Sequence, residues 1–185
     1  MPKRSPLIRR GIPADHEMLA TLAARTFSDA FIADNRPEDI AAYVNQAFTP
    51  SQMLAELTMP ESWVLLAYDE ATLAEPALGY ARLVLNSHHP SLQGQQALEL
   101  NRLYVEQKAI GRGYGAALMT ASLKGAVAAN CDTIWLGVWE HNTRAQRFYQ
   151  RWGFKTVGTQ TFVLGEDVQT DWVMERPVNL PDEAL

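Results

Sequence analysis

The stretch ALELNRLYVEQKAIGRGYGAALMTASLKGAVAA, residues 97–129, decides the fold. Its first part alternates with a period of two, setting Leu98, Leu100, Arg102 and Tyr104 against Glu99, Asn101, Leu103 and Val105, which predicts a strand over Ala97–Val105. Its last part, Tyr114–Ala129, spaces Leu118, Met119, Ser122, Leu123, Ala126 and Val127 as the inner stripe of a helix. Between them runs Ile110-Gly111-Arg112-Gly113-Tyr114-Gly115, with glycine at every second position. Such a chain turns tightly and lets a ligand come close to its amides. The following helix adds unpaired N–H groups and the positive end of its dipole, so a phosphate is the natural guest. A tight strand-to-helix turn that packs closely and binds nothing is the plainer alternative.

The same glycines satisfy the dinucleotide pattern G-x-G-x-x-G/A through Ala116, with Asp132 about twenty residues on. The context argues against it. Five residues, Glu106 to Ile110, separate the strand from the first glycine, and Asp132 precedes the next strand instead of ending it.

Working outward, Leu7–Arg10 reads as a short strand and Pro13–Ile32 as a helix with an apolar stripe. Pro37 opens a second helix to about Phe48. Thr49, Pro50 and Gln52 open a third, as N-cap, first-turn proline and third-position glutamine. Strands follow at Ser62–Tyr68 and Ala77–Asn86, separated by a loop over Asp69–Pro76. Beyond residue 129 come a strand at Thr133–Val138, a helix at Thr143–Trp152 closed by Gly153, and strands at Phe154–Leu164 and Val168–Glu175 joined by Gly165-Glu166-Asp167. The order predicts an α/β (α+β) protein, with a mixed sheet of about seven strands flanked by helices.

With 185 residues, 47% of them hydrophobic, the chain suits one domain over residues 1–185. A net charge of −5 argues against nucleic-acid binding. No apolar run is long enough to span a membrane, and no apolar stretch follows the charged start Met1–Pro6. One cysteine, Cys131, fits a reducing compartment, so a cytoplasmic protein is expected. The four histidines show no metal-ligand spacing, so no metal is expected. Between Gly11 and Glu61 eight acids face two bases. That is either a solvated helical surface or a field for a cationic substrate.

The glycine loop together with Asn142-Thr143-Arg144-Ala145-Gln146-Arg147-Phe148-Tyr149-Gln150-Arg151-Trp152-Gly153-Phe154 resembles the GNAT superfamily of acetyltransferases, over roughly Leu7 to Arg176. Thr26–Phe31, Tyr43–Phe48, Trp135–Glu140 and Leu164–Asp171 are similar to its PaiA-type branch, whose members acetylate polyamines. Ile110 stands where the family usually has Gln or Arg. The resemblance implies a mostly antiparallel central sheet and acetyl-CoA as acetyl donor. It implies coenzyme contacts at Leu103, Tyr104, Val105, Ile110, Gly111, Arg112, Gly113, Tyr114, Gly115, Asn142 and Tyr149. It further implies that Tyr149 is the acid for the leaving thiolate and Glu99 the base, acting directly or through water. A core role for Tyr149 and an Arg-paired or solvated role for Glu99 are the alternatives.

The expected acceptor is the primary amine of a small cationic molecule such as spermidine. Asp29, Asp34 and Glu140 would hold its ammonium groups, with Glu38, Asp39, Glu166 and Asp171 nearby. A protein or peptide N-acetyltransferase and a non-catalytic acyl-CoA-binding regulator are the competing readings. A homodimer is compatible with all of them.

Overall fold

The computed structural model describes residues 6–69 and 76–178, so most of the loop expected over 69–76 lies outside the described residues. In chain order the elements are β1 (Pro6–Arg10), α1 (His16–Phe31), α2 (Pro37–Ala47), α3 (Pro50–Thr58), β2 (Ser62–Asp69), β3 (Gly79–Leu85), β4 (Ala97–Val105), α4 (Tyr114–Ala128), β5 (Thr133–Trp139), α5 (Thr143–Arg151), β6 (Lys155–Leu164) and β7 (Asp167–Pro177). The strands form one seven-stranded sheet in the order β1-β2-β3-β4-β5-β7-β6. Every neighbouring pair is antiparallel except β4–β5. Among the described residues no helix is long and apolar enough to cross a membrane.

Local chemistry sets the boundaries. Thr49 caps α3 by accepting from the Gln52 amide at 3.1 Å. Gly153, at φ +84°, ends α5 in the left-handed region that favours glycine. Helices α1, α2 and α3 bury Leu19, Leu22, Phe27, Ile40 and Met53 against one face of the sheet. Helices α4 and α5 bury Tyr114, Leu118, Met119 and Tyr149 against the other. Val127 departs from the expected stripe and is 55% exposed. Ala126 takes the inner position of that turn, and the next residue lies about 100° further round.

The strict alternation expected through β4 does not hold. Leu100 pairs with Leu83 and Arg102 with Arg82, so Asn101 is an extra residue, a β-bulge. Beyond it the faces exchange. Leu98, Leu100, Leu103 and Val105 belong to the α4 side. Arg102 and Tyr104 join Glu99 on the side of the three N-terminal helices, where Tyr104 packs near Tyr80 and Arg102 reaches Glu56. The β4–β5 ladder also ends here. It joins only Ala97 to Thr133, Leu98 to Ile134 and Glu99 to Trp135. The second half of β4 remains paired to β3 alone.

Glu56 of α3 is 2% exposed and accepts from Arg102 at 2.7 Å while lying 3.3 Å from the Arg82 guanidinium. Arg82 also donates to the Asn101 side chain at 2.9 Å, so the bulge residue is tied into the cluster. Removing one partner of a buried ion cluster leaves the others uncompensated. Glu56→Gln should therefore lower the unfolding free energy by about 3 kcal/mol. Chemical denaturation monitored by tryptophan fluorescence measures it.

Candidate active site

The residues expected to act together come from four elements. From α4, the loop before the helix puts Gly111 at φ +80° and Gly113 at φ +93°, backbone that a side chain strains. A Cβ at either would meet nothing within 4 Å, so both face open space. Gly113 is the N-cap of α4, so the helix geometry leaves the amides of Gly113, Gly115 and Ala116 without intrahelical acceptors. The Arg112 amide, in contrast, donates to the Ala109 carbonyl at 3.2 Å.

The cleft in front of this loop, about 470 Å³, is bounded by Leu103, Tyr104 and Val105 of β4, by Ile110, Gly111, Gly113 and Gly115, and by Asn142, Ala145 and Tyr149. Most of the expected coenzyme contacts are thus gathered in one place. Two side chains are not. Arg112 turns its guanidinium to Asp69 of β2 at 3.5 Å and lies over the Tyr114 ring. Tyr114 itself is 3% exposed, a core residue whose ring packs with α4 rather than in the cleft. Arg144 and Arg151 also border the cleft with Phe148, and were not anticipated. Their i, i+4, i+7 spacing on one face of α5 is the signal that identifies them. The N-terminal amides of α4 at Gly113, Gly115 and Ala116, with two arginines, fit the phosphates of a nucleotide-bearing thioester.

A second cavity, about 260 Å³, lies on the other face of the sheet and is floored by Gly137. Glu99, Arg82, Asn101, Arg102, Trp139, Gln160 and Asp171 line it, with aromatic walls from Phe31, Tyr43 and Phe162. Leu103, Tyr104, Asn142, Ala145 and Tyr149 border both cavities. Tyr149 belongs to the core on the α4–α5 side, so it reaches the second cavity through the gap where β4 and β5 part. Burial, with no counter-charge, pushes its phenol well above the ordinary tyrosine value. Asn142 caps α5 by accepting from the Ala145 amide at 3.1 Å.

Glu99 is fixed on both oxygens, one accepting from Ser87 at 2.6 Å and the other from Asn101 at 2.8 Å. Asp171 sits across the cavity on β7, and burial pushes its carboxyl up to about 6, with the Gln160 amide opposing and Glu140 adding to the shift. The other expected acids are dispersed. Asp29 borders the first cleft. Asp34 is exposed in the turn after α1 and lines neither space. Glu140 is partly exposed beside His141. Asp39 is buried, and its carboxylate accepts from the Glu166 amide at 3.0 Å. Asp132, the acid that mimicked a ribose ligand, accepts from the Gln95 and Gln96 amides and holds a loop.

Residues 19–154 match the Acetyltransferase (GNAT) family. An uncharacterized N-acetyltransferase of Mycobacterium tuberculosis is 36% identical over 162 residues, which is 88% of this chain and 97% of that protein. An uncharacterized N-acetyltransferase of Lactobacillus delbrueckii subsp. lactis is 29% identical over 84% of this chain and 87% of its own length. Among solved structures, the PaiA N-acetyltransferase from Thermoplasma acidophilum in complex with coenzyme A is similar with a TM-score of 0.73 at 19% identity, covering 94% of this chain and 99% of that one.

The two neighbouring positions of the glycine loop should respond differently. Arg112→Ala should leave the coenzyme A Kd within threefold, because that side chain faces Asp69. Gly113→Ala should destabilise the fold by about 1–2 kcal/mol and weaken coenzyme A more than tenfold, because the strained cap moves the amides. Isothermal titration and thermal melts separate the two effects.

Proposed function

The chain belongs to the GNAT family of acetyltransferases and is an acetyl-CoA-dependent N-acetyltransferase, and we propose that it acetylates the primary amine of a small cationic molecule, of which the polyamine spermidine is an example. The observation that carries this reading is the pair of carboxylates, Glu99 and Asp171, in an aromatic-walled cavity that adjoins Tyr149. Glu56 offsets one of the two arginines there, so with Glu99 and Asp171 ionised the carboxylates still outnumber the guanidiniums. Trp139, Phe31 and Tyr43 supply the ring faces that attract an alkylammonium. On this reading the acceptor's charge rests on Glu99 and Asp171 rather than on Asp29 and Asp34.

The roles follow from position. Amides freed by the divergence of β4 from β5 are available to pair with the pantetheine arm as an added strand would, and the Val105 amide polarises the thioester carbonyl. The glycine loop, Arg144 and Arg151 receive the phosphates. Tyr149 keeps its proton at neutral pH and gives it to the departing sulfur. Glu99, with both oxygens already accepting hydrogen bonds, is suited to holding an ammonium in place, and its expected role as base shifts to substrate binding.

A second reading rests on a wider cleft of about 900 Å³ along α2, lined by Glu38, Gln46, Gln52 and Glu166. Tyr43 and Arg102 border both this cleft and the acceptor cavity. A peptide laid along α2 would reach the cavity past those two side chains.

Thiol release from acetyl-CoA across polyamines, amino acids, aminoglycosides and peptides distinguishes the readings. Turnover of spermidine with a KM that rises with ionic strength, and about tenfold in Glu99→Gln, is the expected result; preference for peptides overturns it. Tyr149→Phe should reduce kcat by about 100-fold at neutral pH with the KM for acetyl-CoA little changed. A loss below threefold removes the acid role.

A further inference from the structure

We propose that Asp171 is the group that takes the proton from the acceptor's ammonium, a role that rests on the reading of the acceptor as a cationic amine. Asp171 stands on β7 opposite Trp139 of β5 and Gln160 of β6, so three strands present one row of side chains to the acceptor cavity. Beside that row the sheet carries Gly137. A Cβ there would overlap the Gln160 amide and stand 3.2 Å from Asp171 Oδ2. The absent side chain is what allows the carboxylate and its amide neighbour to lie over the sheet at this point. Gly137 is also two residues past the last β4–β5 pair, Glu99 to Trp135, so Asp171 overlooks the gap through which Tyr149 reaches the same cavity. Proton acceptor and proton donor therefore border one space from opposite faces of the sheet.

The chemistry of the neighbours distinguishes Asp171 from the other acids. Glu99 is held by Ser87 and Asn101 on its two oxygens. Glu140, after β5, is 36% exposed in its side chain and turns toward His141. The charged and titratable groups sharing the cavity are Arg82 from β3, Glu99, Arg102 and Tyr104 from β4, Tyr43 from α2 and Tyr149 from α5. The guanidiniums are bound to Glu56, so none is committed to Asp171. Asp171 is 9% exposed, and its burial keeps a carboxylate basic enough to accept a proton near neutrality, the property a general base requires.

The step balances. The Asp171 carboxylate removes one proton from R–NH3+, and the freed lone pair forms the C–N bond with the acetyl carbonyl carbon. The C–S bond breaks and the Tyr149 phenol protonates the sulfur. The second proton on the new C–N nitrogen returns to the tyrosinate, and the proton on Asp171 leaves to solvent. Ammonium and thioester become amide, thiol and one proton.

The test measures kcat/KM for spermidine with acetyl-CoA between pH 5 and 9 in the wild type, Asp171→Asn and Glu99→Gln. The wild type should lose activity below an apparent pKa near 6. Asp171→Asn should lose that limb and about 100-fold in kcat/KM at pH 7.5, with an unchanged coenzyme A Kd. Glu99→Gln should keep the limb while KM rises.

The sign of the stability effect gives an independent readout. The folded-state value lies above the ordinary 3.8, so the native protein binds more protons between about pH 4 and 6 and loses stability as pH rises through that window. Asp171→Asn should therefore melt at a higher temperature than the wild type above pH 6, and no differently at pH 4. A merely structural carboxylate would give the opposite. An Asp171→Asn enzyme within threefold of wild type, with the acid limb intact, overturns the proposal. So does a carboxyl carbon of Asp171, assigned by 13C NMR through its absence in the variant, that titrates below 4.5. A wild type that turns over no amine overturns the acceptor reading instead, and the NMR titration still judges Asp171 by itself.

Discussion

The rest of the molecule depends on where β4 stops pairing with β5. Three residue pairs hold the strands together, and then the bulge at Asn101 turns β4 away. A sheet whose central ladder ran to its end would satisfy its own amides and seal one face from the other. Here the separation leaves backbone groups of Leu103, Tyr104 and Val105 facing a cleft, and it leaves a passage through the sheet beside Gly137. Tyr149 occupies that passage, packed among the core residues of α4 and α5 on one side and bordering the carboxylate-lined cavity on the other. The two substrates of a group transfer can meet only if such a passage exists.

Keeping it open takes buried charge. Asn101 accepts from Arg82 and donates to Glu99, and Arg82 and Arg102 converge on Glu56. Ion clusters of this kind contribute little net stability compared with apolar packing, because desolvation offsets the attraction. Their value lies in geometry. They hold a polar residue out of register, and they tie α3, whose own packing is against α1 and β2, to the strand that forms the site.

Much of this was legible in the residues. Glycines at 111, 113 and 115 mark the tight turn that bounds the first cleft, and two of the three take the left-handed conformation that only glycine accepts easily. Apolar spacing marks the helices and strands within a residue or two, except at α1, where Pro13–Asp15 form a 3-10 turn before the helix begins at His16. In β4 the alternation misleads because periodicity assumes an unbroken period: nothing in Leu98 to Val105 signals that Asn101 is supernumerary, so strict alternation puts Arg102 and Tyr104 on the wrong face. In α4 the period holds, and Val127 falls outside because a stripe read from spacing does not say where it narrows. The acids posed a different problem. Asp29, Asp34, Asp39 and Asp171 carry the same charge in the sequence. Only the fold separates the edge of the first cleft at Asp29, the solvated turn at Asp34, the bond to the hairpin amide at Asp39 and the buried carboxylate in the second cavity at Asp171.

The bond from Asp39 to the Glu166 amide fixes one edge of the wider cleft along α2. Gly165, at φ +61°, has no side chain where Asp39 comes up against it, so the start of α2 lies directly on the β6–β7 turn. At the other end of the same junction Gln169 donates to Asn35 at 2.5 Å. Helix and hairpin are thereby stitched at two points, one of them charged. Parting them breaks both, at about 1 kcal/mol for the neutral bond and about 2 for the bond to a carboxylate. That edge of the α2 cleft is a gauge of fixed width, and a molecule bulky enough to part it must supply that energy from its own binding.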